Sequence, residues 1–293
     1  MLKEFEETLI KMKCSDQTKI NDILLALLIV TKNDYAFNSA EFFKLKYQEK
    51  LIGFAKKCIC DPKCSSFTYC LCWMCMFQTK NMNKSVAWDA LMELDILNVM
   101  QTQIMNLYKS LQKMNKEREV LEKRELTEWQ LCEWIWLSAS VVQSKCMLLE
   151  SILQMPDLCR MPDMILNGPM HLRGEISDNI LIFIENLILF GEYSDIVAIL
   201  DLGLFDLVVR QLTENLFVRR HRQYSTDHCM NEMFQAIERI QSDEGDTKEC
   251  WMLRQRVYDK IAESGAEDIV EARTFSNKFY GFNDFMINSK KKC

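Results

Sequence analysis

The segment 176–215, ISDNILIFIENLILFGEYSDIVAILDLGLFDLVVRQLTEN, constrains the fold more than any other part of the chain. Ile180, Phe183, Ile184, Leu187 and Ile188 recur at helical spacing, and Gly191 closes that run. Asp195 to Leu200 reads as a shorter apolar helix stopped at Gly203. Leu204 to Leu212 reads as a third helix, with Leu204, Leu207, Val208 and Leu212 on one stripe. The first of these helices is apolar around almost its whole circumference. A single partner cannot bury such a helix, which needs neighbours on both flanks.

The rest of the chain repeats this grammar. Apolar or amphipathic helices are expected at 22–30, 40–45, 47–58, 67–77, 86–108, 129–142, 227–240 and 250–262, with a shorter one at 266–272. Glycine and proline are scarce, at 8 and 4 residues, and β-branched residues form no alternating runs, so the expectation is an all-α chain. The segment 146–169 reads as a degenerate unit whose loop carries Pro156, Pro162 and Pro169. The charged stretch 113–126 (KMNKEREVLEKREL) reads as an elongated, solvated helix or insertion, and 242–249 as an acidic loop. Taking Leu27, Trp73, Trp136, Asn186 and Phe234 as the centres of the most apolar helices, the steps stay near the roughly 40–47 residues of two- or three-helix repeats. One step is longer, and it contains the charged stretch.

The phrase Ala198-Ile-Leu-Asp-Leu-Gly-Leu-Phe205 has a second copy at Ala90-Leu-Met-Glu-Leu-Asp-Ile-Leu97, with Asp95 where Gly203 stands. Extended to Leu212, the phrase resembles the opening of an armadillo unit, and in particular the units of the importin-alpha family. The resemblance is distributed over about residues 20–265. It implies a right-handed superhelical solenoid of about five degenerate armadillo-like units. Residues 1–19 are then a leading helix or arm, 20–273 the repeat domain with its insertion at 113–126, and 274–293 an irregular tail.

The resemblance also implies a function. In the importin-alpha family the last helix of each unit presents Trp and, four residues on, Asn to a concave groove. The Asn amide bonds the backbone of an extended peptide, while Trp rings sandwich lysine stems. Here Asn186 stands at the Asn position with Ile182 in place of its Trp, while Trp73, Trp134 and Trp136 are followed by Phe77, Ser138 and Ser140. Peptide contact therefore falls to Asn186, Trp73, Trp134 and Trp136, with Arg210 adding an electrostatic contact. Core packing for the tryptophans, and a cap or inter-helix hydrogen bond for Asn186, fit the same residue types. The expected function is a non-enzymatic scaffold holding an extended, basic peptide of a partner protein, in its sharpest form as a nuclear-import cargo adaptor. The alternative is a structural or regulatory subunit of a larger complex, docking through its apolar surface and the 113–126 stretch. The family's basic, importin-beta-binding arm has no counterpart in residues 1–19, where Glu4, Glu6, Glu7 and Asp16 offset the lysines.

Other chemistries find little support. The net charge of -6 gives no general affinity for nucleic acid or acidic membranes. The basic run Arg219-Arg220-His221-Arg222 reads as a solvated loop. The 13 cysteines are an odd number, many of them inside apolar helices, which fits reduced thiols in a cytoplasmic or nuclear protein. In the cluster Cys58, Cys60, Cys64, Cys70, Cys72 and Cys75 only Cys72 and Cys75 have zinc-doublet spacing, so no metal site is assigned. His171, His221 and His228 stand beside no recognisable nucleophile, and no phosphate-cradling glycine loop is present, so neither enzymatic activity nor a cofactor is expected. The N-terminus MLKEFEETLIKMK carries mixed charge and reads as no secretory signal, and no apolar run is long enough to span a bilayer.

Overall fold

The computed structural model describes residues 95–117, 121–144, 149–168, 172, 174–214, 220–245 and 247–275. The leading arm, the helices expected before residue 86, Trp73, the cysteine cluster and the tail beyond residue 275 lie outside the described residues. Every regular element among the described residues is a helix, so this part of the chain is all-α. None of these helices is long and apolar enough to cross a membrane.

The elements are α1 (Ile96–Glu117), α2 (Leu121–Ser144), α3 (Leu149–Leu153), α4 (Pro156–Leu166), α5 (Gly174–Phe190), α6 (Tyr193–Asp201), α7 (Leu204–Glu214), α8 (Arg220–Glu244), α9 (Lys248–Glu263) and α10 (Glu267–Phe275). They divide between two compact units. The described part of the first is 95–107 with 129–137; the second takes 108–128 and everything from Ser138 onward. In the first unit Ile96, Leu97, Met100 and Ile104 of α1 are buried, as are Leu131, Trp134, Ile135 and Leu137 of α2.

The two copies of the sequence phrase share a left-handed residue at the matching position. Gly203 has φ 70° and Asp95 has φ 51°, both left-handed. In each copy the carbonyl of that residue accepts the N–H four residues on, from Leu207 at 3.4 Å and from Val99 at 3.1 Å. A helix then opens at the next residue, Leu204 or Ile96. Aspartate tolerates the left-handed region better than most side chains, and its carboxylate also accepts from Asn98 Nδ2 at 2.7 Å. Of the helix expected over 86–108, the part from Ile96 onward is described as α1, and residues 86–94 lie outside the described residues.

The second unit is organised as like packing on like. Short α3 packs on short α6, α4 on α7, and α5 on α8. The α5–α8 contact is the most extensive of all helix pairs described. Three side chains cross between helices to backbone carbonyls at nearly equal sequence offsets. Asn186 Nδ2 donates to Ala139 O at 2.9 Å (offset 47), the Cys229 thiol to Leu181 O at 3.1 Å (offset 48), and the Arg239 guanidinium to Gly191 O at 2.9 Å (offset 48). Helix α9 extends the assembly by packing on α6, α7 and α8. Its Arg256 and Lys260 pair with Asp201 at 2.6 Å and with Asp206 at 2.9 Å.

Several boundaries differ from the sequence reading, each for a local reason. Pro156 and Pro162 lie in a helix, not a loop. Pro156 stands at the first helical position, where a missing N–H costs nothing. Pro162 forgoes one backbone bond, but α4 buries Leu158, Met161, Pro162 and Ile165 together, and that packing outweighs the lost bond. The charged stretch 113–126 is divided between the end of α1 and the start of α2. Lys113, Asn115, Glu122, Lys123 and Glu125 are exposed, as a solvated stretch requires, and residues 118–120 lie outside the described residues. Arg220, His221 and Arg222 open α8 instead of forming a loop, whereas Arg219 lies outside the described residues. The acidic loop shortens to about 245–247, because α8 runs on to Glu244 and Thr247 caps α9 by accepting the Cys250 N–H at 3.2 Å. Helix α10 continues to Phe275, past the expected start of the tail.

Tyr108 pins the start of the second unit. Its side chain is buried, and its hydroxyl donates to Met164 O at 2.6 Å beside Gly168. A Cβ on Gly168 would collide with both that carbonyl and the Tyr108 hydroxyl. Gly168→Ala should cost about 1–3 kcal/mol through overpacking, and Tyr108→Phe about 0.5–1.5 kcal/mol through the lost bond. Urea denaturation checks both, with Gly168→Ala expected to be the more damaging.

Candidate functional site

Each residue expected to contact peptide has a definite place, apart from Trp73. Trp134 is buried in the first unit at 2% exposure, and Trp136, on the same helix, is half-buried. Asn186 and Arg210 belong to the second unit. Arg210 is exposed on α7. Asn186 is 7% exposed, and its amide is committed to the Ala139 carbonyl. That is the inter-helix bond which the residue type allowed, and it fixes α5 against the end of α2.

Helix α5 buries Ile176, Ile180, Leu181, Phe183, Ile184, Leu187 and Ile188, and Asp178, Ile182, Glu185 and Leu189 form a half-exposed stripe along it. Positions four, three and four apart fall on one helical face. On α8 the equivalent accessible stripe is His228, Glu232, Gln235 and Arg239. These two faces border the α5–α8 seam, and three of their side chains interact across it. His228 Nδ1 lies 3.8 Å from Glu185 Oε1, an electrostatic contact too long for a hydrogen bond. Burial raises the Glu185 carboxyl to about 7, and the charge of Glu232 pushes it the same way. The contact is an ion pair only when His228 is protonated.

Cys229 lies beneath this cluster. Its thiol is fully buried and bonded to Leu181 O. Burial, with Glu185 second, holds it well above the ordinary thiol range, so it stays a neutral packing group despite its neighbour His228. Cys159 behaves alike: its thiol faces Ile152 O at 3.3 Å, and burial pushes it up to about 11. Among the described residues, no group of three or more His, Cys, Asp or Glu side chains could hold a metal ion.

A second concavity, an open cleft of about 400 Å³, lies between α3 and α6, lined by Glu150, Leu153, Gln154, Glu192, Asp195 and Ala198. Its carboxylates already have structural work. Asp195 accepts the Glu192 N–H at 3.0 Å as α6 begins, and Glu150 accepts from Gln154 at 3.2 Å. The α5–α8 strip is therefore the stronger candidate.

Sequence reasoning passed over Glu185, His228 and Glu232. The available signal was a carboxylate inside IFIENLILF, the most apolar helix of the chain. Such a group must face either a partner or the one strip left open to water. Comparison with protein-family models gives no match, and the search of curated proteins finds none either.

Asn186→Ala should destabilise the fold by about 1–3 kcal/mol, because the Ala139 carbonyl is left unsatisfied in a buried site. Arg210→Ala should stay within about 0.5 kcal/mol of wild type, as exposed substitutions do. Thermal melting of the two variants checks this, and equal stabilities would remove the structural role of Asn186.

Proposed function

We propose that the chain is a non-enzymatic, protein-binding scaffold of armadillo-like three-helix units, and that an extended basic segment of a partner protein lies across the strip formed by α5 and α8. The observation that carries this reading is the packing of α3 on α6, α4 on α7 and α5 on α8, with three hydrogen bonds at offsets of 47 and 48 residues. A stack of such units has one binding surface built from the same helix of each unit, and here that helix is the long third one. Its accessible face carries Asp178, Glu185 and Glu232, a charge that suits lysine and arginine side chains.

Nuclear-import cargo adaptation is the sharpest form of the proposal, with a cytoplasmic and nuclear location. In that form charge on the strip replaces the Trp and Asn ladder, since Asn186 is spent on Ala139 and Trp134 on the core. A second reading, a structural or regulatory subunit of a larger complex, is favoured by the apolar side chains left in water. Leu121 and Leu126 are 69% and 59% exposed, within the charged stretch proposed to dock.

Fluorescence anisotropy of a labelled lysine-rich peptide, titrated with the full chain at low salt, tests the first reading. Binding is expected in the micromolar range, and Glu232→Lys should weaken it about tenfold, equivalent to roughly 1.4 kcal/mol. An absence of binding at low salt would remove the basic-peptide reading and leave the complex-subunit one.

A further inference from the structure

We propose that the seam between α5 and α8 is a proton-operated joint: it closes when the half-buried Glu185 holds a proton and loosens when Glu185 is ionised beside the like charge of Glu232. The inference concerns the unliganded protein and does not depend on the peptide-binding reading.

The geometry supplies the parts. The α5–α8 contact is the most extensive helix pair described, so a change at its edge acts on a large interface. Glu185 sits at that edge with its side chain only 21% exposed, and it faces like charge from Glu232. Water screens such a pair poorly, and their repulsion pushes the two helices apart. His228 opposes that repulsion only while it carries a proton, and at 3.8 Å it does so by charge and not by a fixed bond. The Cys229–Leu181 bond lies under the same edge, so the cluster controls access of water to it.

Among the other charges described on α8, Arg239 is bonded to Gly191 O, and Asp227 and Glu238 flank the stripe with negative charge. Asp178 stands two turns earlier on α5 and adds negative charge. Arg220, His221 and Arg222 belong to the first turn of α8. Among the described residues of α4, α6 and α7, which also touch α5, none contributes a charge that shifts Glu185.

The direction follows from proton linkage. The ordinary carboxyl value of 4.5 applies to the unfolded or opened chain, and the closed seam holds Glu185 near 7. Across that window the closed form keeps a proton which the open form has lost, so closure is favoured below it. The advantage fades as pH rises through about 7, after which no further loss is expected from this group.

Amide hydrogen exchange of the full chain, measured from pH 5.5 to 8.5 and corrected for intrinsic rates, reads the opening directly. Segments 181–188 and 229–236 should open at least about tenfold more at pH 8 than at pH 5.5, whereas segment 253–261 of α9 should show no such trend. Glu185→Gln should flatten the trend. Glu232→Gln, which removes the like charge facing Glu185, should move it to lower pH. An opening constant that does not vary with pH in wild type, or an unchanged trend in either variant, overturns the proposal. If Glu185→Gln does not fold, the wild-type and Glu232→Gln profiles decide alone.

Discussion

Helix α5 has to be buried on two sides, and most of the second unit can be understood as the means of doing so. Its apolar residues occupy nearly the whole circumference, and between its ends the accessible side chains lie mainly on the Asp178–Leu189 stripe. Apolar burial supplies the attraction but little direction. Register is set by polar atoms aimed at particular carbonyls. Asn186 fixes the flank toward α2, while Cys229 and Arg239 fix the flank toward α8. Arg239 also brings positive charge to Gly191 O, just past the C-terminal end of α5, where the helix dipole favours a cation.

How much of this was written in the sequence varies by element. The three helices of 176–215, with breaks at Gly191 and Gly203, were legible because 3.6-residue periodicity and glycine punctuation agree there. The equivalence of Asp95 and Gly203 was legible as a pattern, and the shared left-handed φ gives it a physical basis. Proline misled the reading of 156–169, because composition counts residues and cannot see that Pro156 occupies the one helical position where it is harmless. The α5–α8 cluster was less accessible still. Glu185, His228 and Glu232 meet only once two helices about fifty residues apart are packed together, and nothing local to either helix announces the pairing.

The tryptophans and Asn186 show why residue type alone does not assign a role. An amide that can bind a peptide backbone can equally bind the carbonyl of a neighbouring helix, and in this fold the neighbour is already in place. Burial at 7% and a 2.9 Å bond decide the matter for the Asn186 amide nitrogen. The same test places Trp134 in a core and leaves Arg210 in water. What remains for recognition is the polar strip that packing did not consume.

The nearly equal offsets between paired helices have a consequence for how such a chain can change length. A contact such as Cys229 on Leu181 survives only if both of its helices keep their place in the stacking order. Removing one helix would set α5 against a surface shaped for a different neighbour. Small insertions are tolerated better at exposed positions such as Lys113, Asn115, Glu122 and Glu125 than inside α5 or α8, where each added residue would turn a buried side chain away from its partner.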